Sequence, residues 1–157
     1  MLIFTDTGSD LPKEYYEEAN IIPFPLGVEI DGKAYKDVFE MDGPTLYEAI
    51  KNGARPKTSQ VSPEDFLKEF EKVAKSGEEA IYISFPSELS GTYGTSVMIK
   101  NQLLETYPDL KLHIVDAKCA SLGQGLVIKE AVRLRDEGKT AEEIVEAIKA
   151  YCSNMNH

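Results

Sequence analysis

Apolar positions fall into two kinds of run along this chain. Three are short: Leu2-Ile3-Phe4 and Ile81-Tyr82-Ile83 are continuous, and Leu110 to Val115 alternates with Lys111 and His113. Runs of that length between turn-forming residues predict buried strands. The others recur at helical spacing. Phe66, Leu67, Phe70, Val73 and Ala74 form one stripe. Their helix opens at Ser62-Pro63, a hydroxyl cap followed by proline at the first position, and stops at Gly77. Val97, Met98, Leu103 and Leu104 predict a helix after the Ile81 strand, closed by Pro108. Ile144, Val145 and Ile148 mark a last helix behind the capping box Thr140-Ala141-Glu142-Glu143. Further helices are expected over Lys13 to Ala19, over Gly125 to Arg135, and after Gly43-Pro44, where Leu46, Tyr47, Ala49 and Ile50 share a side.

Between these elements the pattern weakens. Ile21 to Ile30 carries two prolines and reads as an edge or irregular extended segment. Asp31-Gly32 turns it back through Ala34-Tyr35. Thr5 to Asp10, Asn52 to Ser62, Ser87 to Thr92 and Ala117 to Gln124 read as polar or small-residue loops. Each of the three buried strands is followed by a helix. That alternation predicts a three-layer α/β/α domain with a mostly parallel sheet. The domain is expected over residues 1–152, with a polar tail at 153–157.

Composition narrows the class. The 157 residues are 42% hydrophobic and 28% charged, which suits one soluble globular domain. A formal net charge of -10 argues against nucleic acid or an anionic membrane as the main partner. No apolar run approaches the roughly 20 residues of a membrane span, and the start MLIFTDTGSD reads as a strand rather than a signal peptide. Two cysteines, Cys119 and Cys152, argue against a disulfide framework and for a reducing cytoplasm. Two histidines, His113 and His157, leave few candidates for metal binding or histidine-dependent catalysis.

The candidate chemistry lies at the ends of the strands. After Ile81 to Ile83 the chain passes through Ser90-Gly91-Thr92 into a helix. A helix start presents unpaired N–H groups and the positive end of its dipole, so this turn reads as an anion cradle. Gly91 admits close approach, and Ser90 and Thr92 supply hydroxyls. A second hydroxyl cluster, Thr58-Ser59-Gln60, follows Arg55 and Lys57. If the two clusters meet, hydroxyls from distant parts of the chain can grip one carboxylate. Asp6-Thr7-Gly8-Ser9 matches the aspartic protease signature, but that chemistry needs a second carboxylate motif and an all-β setting. Asp6 is better read as a turn residue binding nearby N–H groups. Asp116 reads as a capping residue, and His113 as a surface or satisfied side chain. There is no G-x-S-x-G, and no lysine follows the glycines after Ser90.

Five segments in order resemble the DegV family of bacterial fatty-acid-binding proteins. They are Thr5-Asp6-Thr7-Gly8-Ser9-Asp10-Leu11-Pro12, Ile22-Pro23 with Asp31-Gly32, Lys57 to Pro63, Leu89-Ser90-Gly91-Thr92-Tyr93, and Val115-Asp116 through Gly125. Val61 stands where the family usually has proline, and Phe85-Pro86-Ser87 where it commonly has two serines. The resemblance implies the fold of that family's N-terminal domain, and a longer protein whose second domain encloses the lipid. It implies a long-chain fatty acid whose carboxylate is held by Thr58 and Ser90, with the Gly91 N–H beside them. Ser59, Thr92 and Ser121 are expected behind those contacts. It implies no catalysis by the chain and no cofactor beyond the fatty acid ligand. A fatty acid kinase is the expected partner and phosphorylates the presented carboxylate. Two alternatives stay open: an enzyme acting on a small phosphate or carboxylate, using Asp6 and Asp116, and a non-catalytic interaction module that self-associates.

Overall fold

A computed structural model of the chain describes residues 1–9, 11–30, 32–36, 44, 48, 50–53, 57–85, 91–117 and 121–155. For 9, 34, 36, 57–59, 121, 122 and 153–155 the description is of the backbone. The chain begins with β1 (Leu2–Asp6), a short 3-10 turn (Thr7–Ser9), α1 (Lys13–Glu18) and β2 (Ile21–Phe24). Three short strands follow: β3 (Gly27–Ile30), β4 (Lys33–Lys36) and β5 (Lys57–Ser59). The remainder alternates as α2 (Pro63–Ser76), β6 (Ala80–Ser84), α3 (Thr92–Thr106), β7 (Leu112–Asp116), α4 (Ser121–Asp136) and α5 (Ala141–Met155).

The main sheet is four-stranded, in the order β2-β1-β6-β7, and every pairing is parallel. Ile3 lies between Ile21 and Ile81, and Phe4 between Ile22 and Tyr82. Alternation along the strands sends successive side chains to opposite faces. Ile3, Ile81, Ile83 and Val115 pack with Tyr16 of α1, Val127, Ile128 and Ala131 of α4, and Ile144 and Ile148 of α5. Phe4, Phe24, Tyr82 and Leu112 pack with Phe66, Phe70 and Val73 of α2 and Ile99 and Leu103 of α3. The second face is aromatic, with ring centroids from 4.7 Å (Phe24–Phe66) to 6.1 Å (Phe70–Tyr82). Helices on both faces of a parallel sheet make the expected three layers.

The order of strands fixes where a ligand belongs. The crossover from β1 to β2 runs through α1 on one face, while α2, on the other face, leads into β6. The direction of winding therefore reverses between β1 and β6. In sheets of this kind the crevice outside the carboxyl ends of the strands at that reversal is the usual ligand site.

Several boundaries differ from the sequence pattern. Lys57–Ser59, expected within a loop, is a strand: β5 pairs antiparallel with β3, which also pairs antiparallel with β4, making a separate three-stranded sheet. Lys-Thr-Ser has no apolar residue to signal it. The extended segment Ile21 to Ile30 divides into β2, at the edge of the main sheet, and β3, in the second sheet. The helix expected from Gly125 starts at Ser121, so Gln124 sits on a helix rather than in a turn. Of the apolar positions that predict the helix after β6, Met98 is 48% exposed, while Leu103 faces the core together with Ser96 and Ile99. The last helix runs to Met155, so part of the expected tail is helical.

The predicted caps hold. Ser62 Oγ accepts from Asp65 N at 3.2 Å, with Pro63 at the first helical position. Thr140 and Glu143 exchange the two bonds of a capping box, at 3.1 and 3.2 Å.

Candidate functional site

Four segments meet at the carboxyl edge of the sheet: the turn after β1, the end of β6 leading to Gly91, the end of β5, and the first turns of α4. Asp6 ties three of them together. Its Oδ2 accepts from Tyr82 OH at 2.7 Å and from Phe85 N at 2.8 Å. Its Oδ1 accepts from Gly8 N at 3.1 Å and Gln124 Nε2 at 3.2 Å. The Gly8 bond is the turn contact expected of Asp6. Asp6 is fully buried, and burial pushes its carboxyl above the ordinary 3.8 despite those donors. Burial also raises the Tyr82 phenol well above its usual value, and the charge of Asp6 adds to the effect.

Gln124 is oriented by three acceptors: its amide nitrogen faces Asp6 Oδ1, Thr5 Oγ1 at 3.1 Å and the Ile83 carbonyl at 3.4 Å. Thr5 spends its own proton on Ile83 O at 2.9 Å, so Thr5 can only accept from Gln124. The amide is thereby fixed, and Gln124 Oε1 is buried without a hydrogen-bond partner among the described residues. Such an acceptor costs about 1–3 kcal/mol.

Threonine hydroxyls brace the rest of the edge. Thr7 Oγ1 accepts from Leu26 N at 3.0 Å, joining the turn after β1 to the start of the second sheet. Thr92 Oγ1, fully buried, accepts from Val61 N at 3.3 Å. Val61 follows β5 closely, and Thr92 is the first residue of α3. The end of β5 is thus joined to the helix start. A second contact reinforces the first: a β-carbon at Gly91 would overlap Gln60 Oε1. Gly91 has φ -75°, so the close approach of Gln60, rather than an unusual backbone angle, is what calls for glycine there. Gly8 is constrained in the same manner by the Phe85 ring.

The candidate residues can be placed against this frame. Gly91 and Thr92 lie at the start of α3, beside Gln60 and Val61. The Thr92 hydroxyl accepts from the backbone at the end of β5 and so supports the strand end. Thr58 belongs to β5, its backbone opposite Val28, and Ser59 is opposite Gly27. Ser121 opens α4. Ser90 and Cys119 lie outside the described residues. Asp116 ends β7 opposite Ser84, and His113, lower on that strand, has Nε2 3.6 Å from Glu79 Oε2. Tyr82, Gln60 and Gln124 carry the site's contacts without a local sequence signal. Among the described residues no cluster of three or more His, Cys, Asp or Glu could hold a metal, and no helix is long and apolar enough to cross a membrane.

The chemistry follows from the oxygen atoms available. A carboxylate offers about four acceptor positions. Asp6 receives four donors and has no solvent exposure, which leaves it nothing with which to attack a substrate or take its proton. The edge instead offers a helix of fifteen residues beginning at Thr92, whose N-terminal N–H groups and dipole favour an anion.

Comparisons with known proteins agree with this architecture. The family model described as "Uncharacterised protein, DegV family" matches residues 1–157. A DegV domain-containing protein of Clostridium perfringens is 36% identical over 158 residues, covering 99% of this chain and 54% of the relative. The chain spans about half the length of the curated relatives it matches. A crystal structure described as a stearic acid-binding protein from Eubacterium ventriosum superposes with a TM-score of 0.88 at 28% identity, covering 96% of this chain and 53% of the other. The Fatty Acid Kinase B3 protein of Streptococcus pneumoniae, loaded with linoleic acid, gives a TM-score of 0.76 at 26% identity, covering 98% and 55%.

Proposed function

The chain belongs to the DegV family, and from that premise we propose that it binds a long-chain fatty acid by its carboxylate and presents that head to a fatty acid kinase, which makes the acyl phosphate. Thr58 and Ser90 supply the gripping hydroxyls and Gly91 a backbone N–H, with Ser59, Thr92 and Ser121 around them. The place of action is the cytoplasm. The observation that carries this reading is the junction of Gln60 and Val61 with Gly91 and Thr92. It joins the end of β5, the strand that carries Thr58, to the start of α3, which Ser90 closely precedes in the sequence, and so supports a shared grip. Structures of similar fold described as fatty-acid-binding support the ligand class.

The energetics divide between tail and head. Burying the acyl chain contributes about 0.8 kcal/mol per CH₂ and supplies most of the affinity. Hydrogen bonds to the charged head, about 1.5–3 kcal/mol each, fix its orientation toward the kinase. The filled acceptor positions of Asp6 favour this carrier role over acid–base chemistry at the same edge.

Native mass spectrometry after loading with stearate tests the binding step, with one acyl chain per protein as the expected increment. Adding a fatty acid kinase and ATP should then yield acyl phosphate, trapped as the hydroxamate. Failure to retain stearate after loading would contradict the proposal.

A further inference from the structure

We infer that Asp6 is a positioning residue for the anion-binding turn, holding the backbone at Phe85 from which the chain departs toward Ser90 and Gly91. The inference deepens the fatty-acid reading and rests on it for the identity of the ligand.

The carboxylate gathers donors from four places in the chain: Gly8 in the turn after β1, Tyr82 inside β6, Phe85 just beyond β6, and Gln124 on α4. Two belong to turns at the ligand edge, and two anchor the carboxylate to the sheet and to a core helix. Phe85 is fixed twice, since its N–H donates to Asp6 and its ring occupies the space a β-carbon of Gly8 would need. Beyond Gly91, Thr92 Oγ1 accepts from Val61 N. A buried charge is a poor device for stability alone, because well-packed apolar groups of similar volume often do as well or better. Its acceptor geometry can, however, hold several backbone N–H groups in place at once, which an apolar side chain cannot do.

Asp6→Asn separates the two roles. The amide keeps the size of the carboxylate and one acceptor oxygen. Its NH₂ must face two of the four donors, so about half of the bonds are lost. In ¹H–¹⁵N spectra of the 157-residue chain, the amide resonances of Gly8 and Phe85 are expected to move, together with those of Gly91 and Thr92. Stearate affinity should fall by about tenfold or more, the worth of one charge-assisted bond. A folded variant with Gly91 and Thr92 unmoved would overturn the inference, whether or not stearate binds. Moved resonances in a chain whose wild type never binds stearate would overturn the ligand reading and leave the positioning role supported. If the variant fails to fold, the wild type decides: in mild acid the Gly8 and Phe85 amide protons should titrate together with one midpoint. The titratable side chain facing Asp6 among the described residues is Tyr82, which stays protonated there. Independent midpoints, or no titration of either, would overturn the inference.

Discussion

Asp6 shows how one side chain can be half legible. Its place after an apolar strand, two residues before glycine, announces a turn bond to Gly8 N, and that bond exists. Its other partners do not follow from any local pattern, because Tyr82 and Gln124 lie 76 and 118 residues away. Gly91 was legible as a glycine with a purpose, but the group that approaches it is Gln60. The buried charge also has a consequence for stability. Burial outweighs the donors, so the folded chain holds the Asp6 proton more tightly than the unfolded chain does. The corresponding stability is fully present below the ordinary value of 3.8 and is lost as pH rises through the higher folded value. Urea unfolding of wild type and Asp6→Asn across that range should show the wild type losing ground to the variant as pH rises. A difference that grows in favour of the wild type would reverse the sign of the argument.

Among elements, legibility tracks hydrophobic content. β1, β6 and β7 are apolar and were readable; α2 declares itself by its stripe and its Ser62 cap. β5 is Lys-Thr-Ser and is held by backbone pairing with β3, so nothing apolar marks it. The first two turns of α4 contain Gly123 and Gly125, poor helix formers. Packing overrides that preference: Gln124, Val127, Ile128 and Ala131 are all fully buried. The junction of β5 with α3 is the element contact on which the site depends. Thr92→Val keeps the side-chain shape but removes the acceptor, leaving the buried Val61 N–H unpaired. The expected loss is about 1–3 kcal/mol, read from urea midpoints. A variant as stable as wild type would mean that the hydroxyl does not brace the junction.

At the scale of the molecule, the parallel sheet and its reversal between β1 and β6 turn scattered turns into one edge. Alternating strands and helices made the three layers foreseeable. The antiparallel pairing of β3 with β4 was foreseeable from Asp31-Gly32, but their third partner β5 was not, because Lys-Thr-Ser carries no apolar residue. The overall charge of -10 would repel an anion; a local cradle of N–H groups and hydroxyls overcomes this only at short range. The claim at the centre is that hydroxyls far apart in sequence hold one acidic head. Calorimetric titration of stearate into wild type, Thr58→Ala, Ser90→Ala and the double variant tests it most directly. Each single variant is expected to bind about tenfold more weakly, with the fold intact by circular dichroism. A double variant that binds stearate as tightly as the wild type would contradict the account.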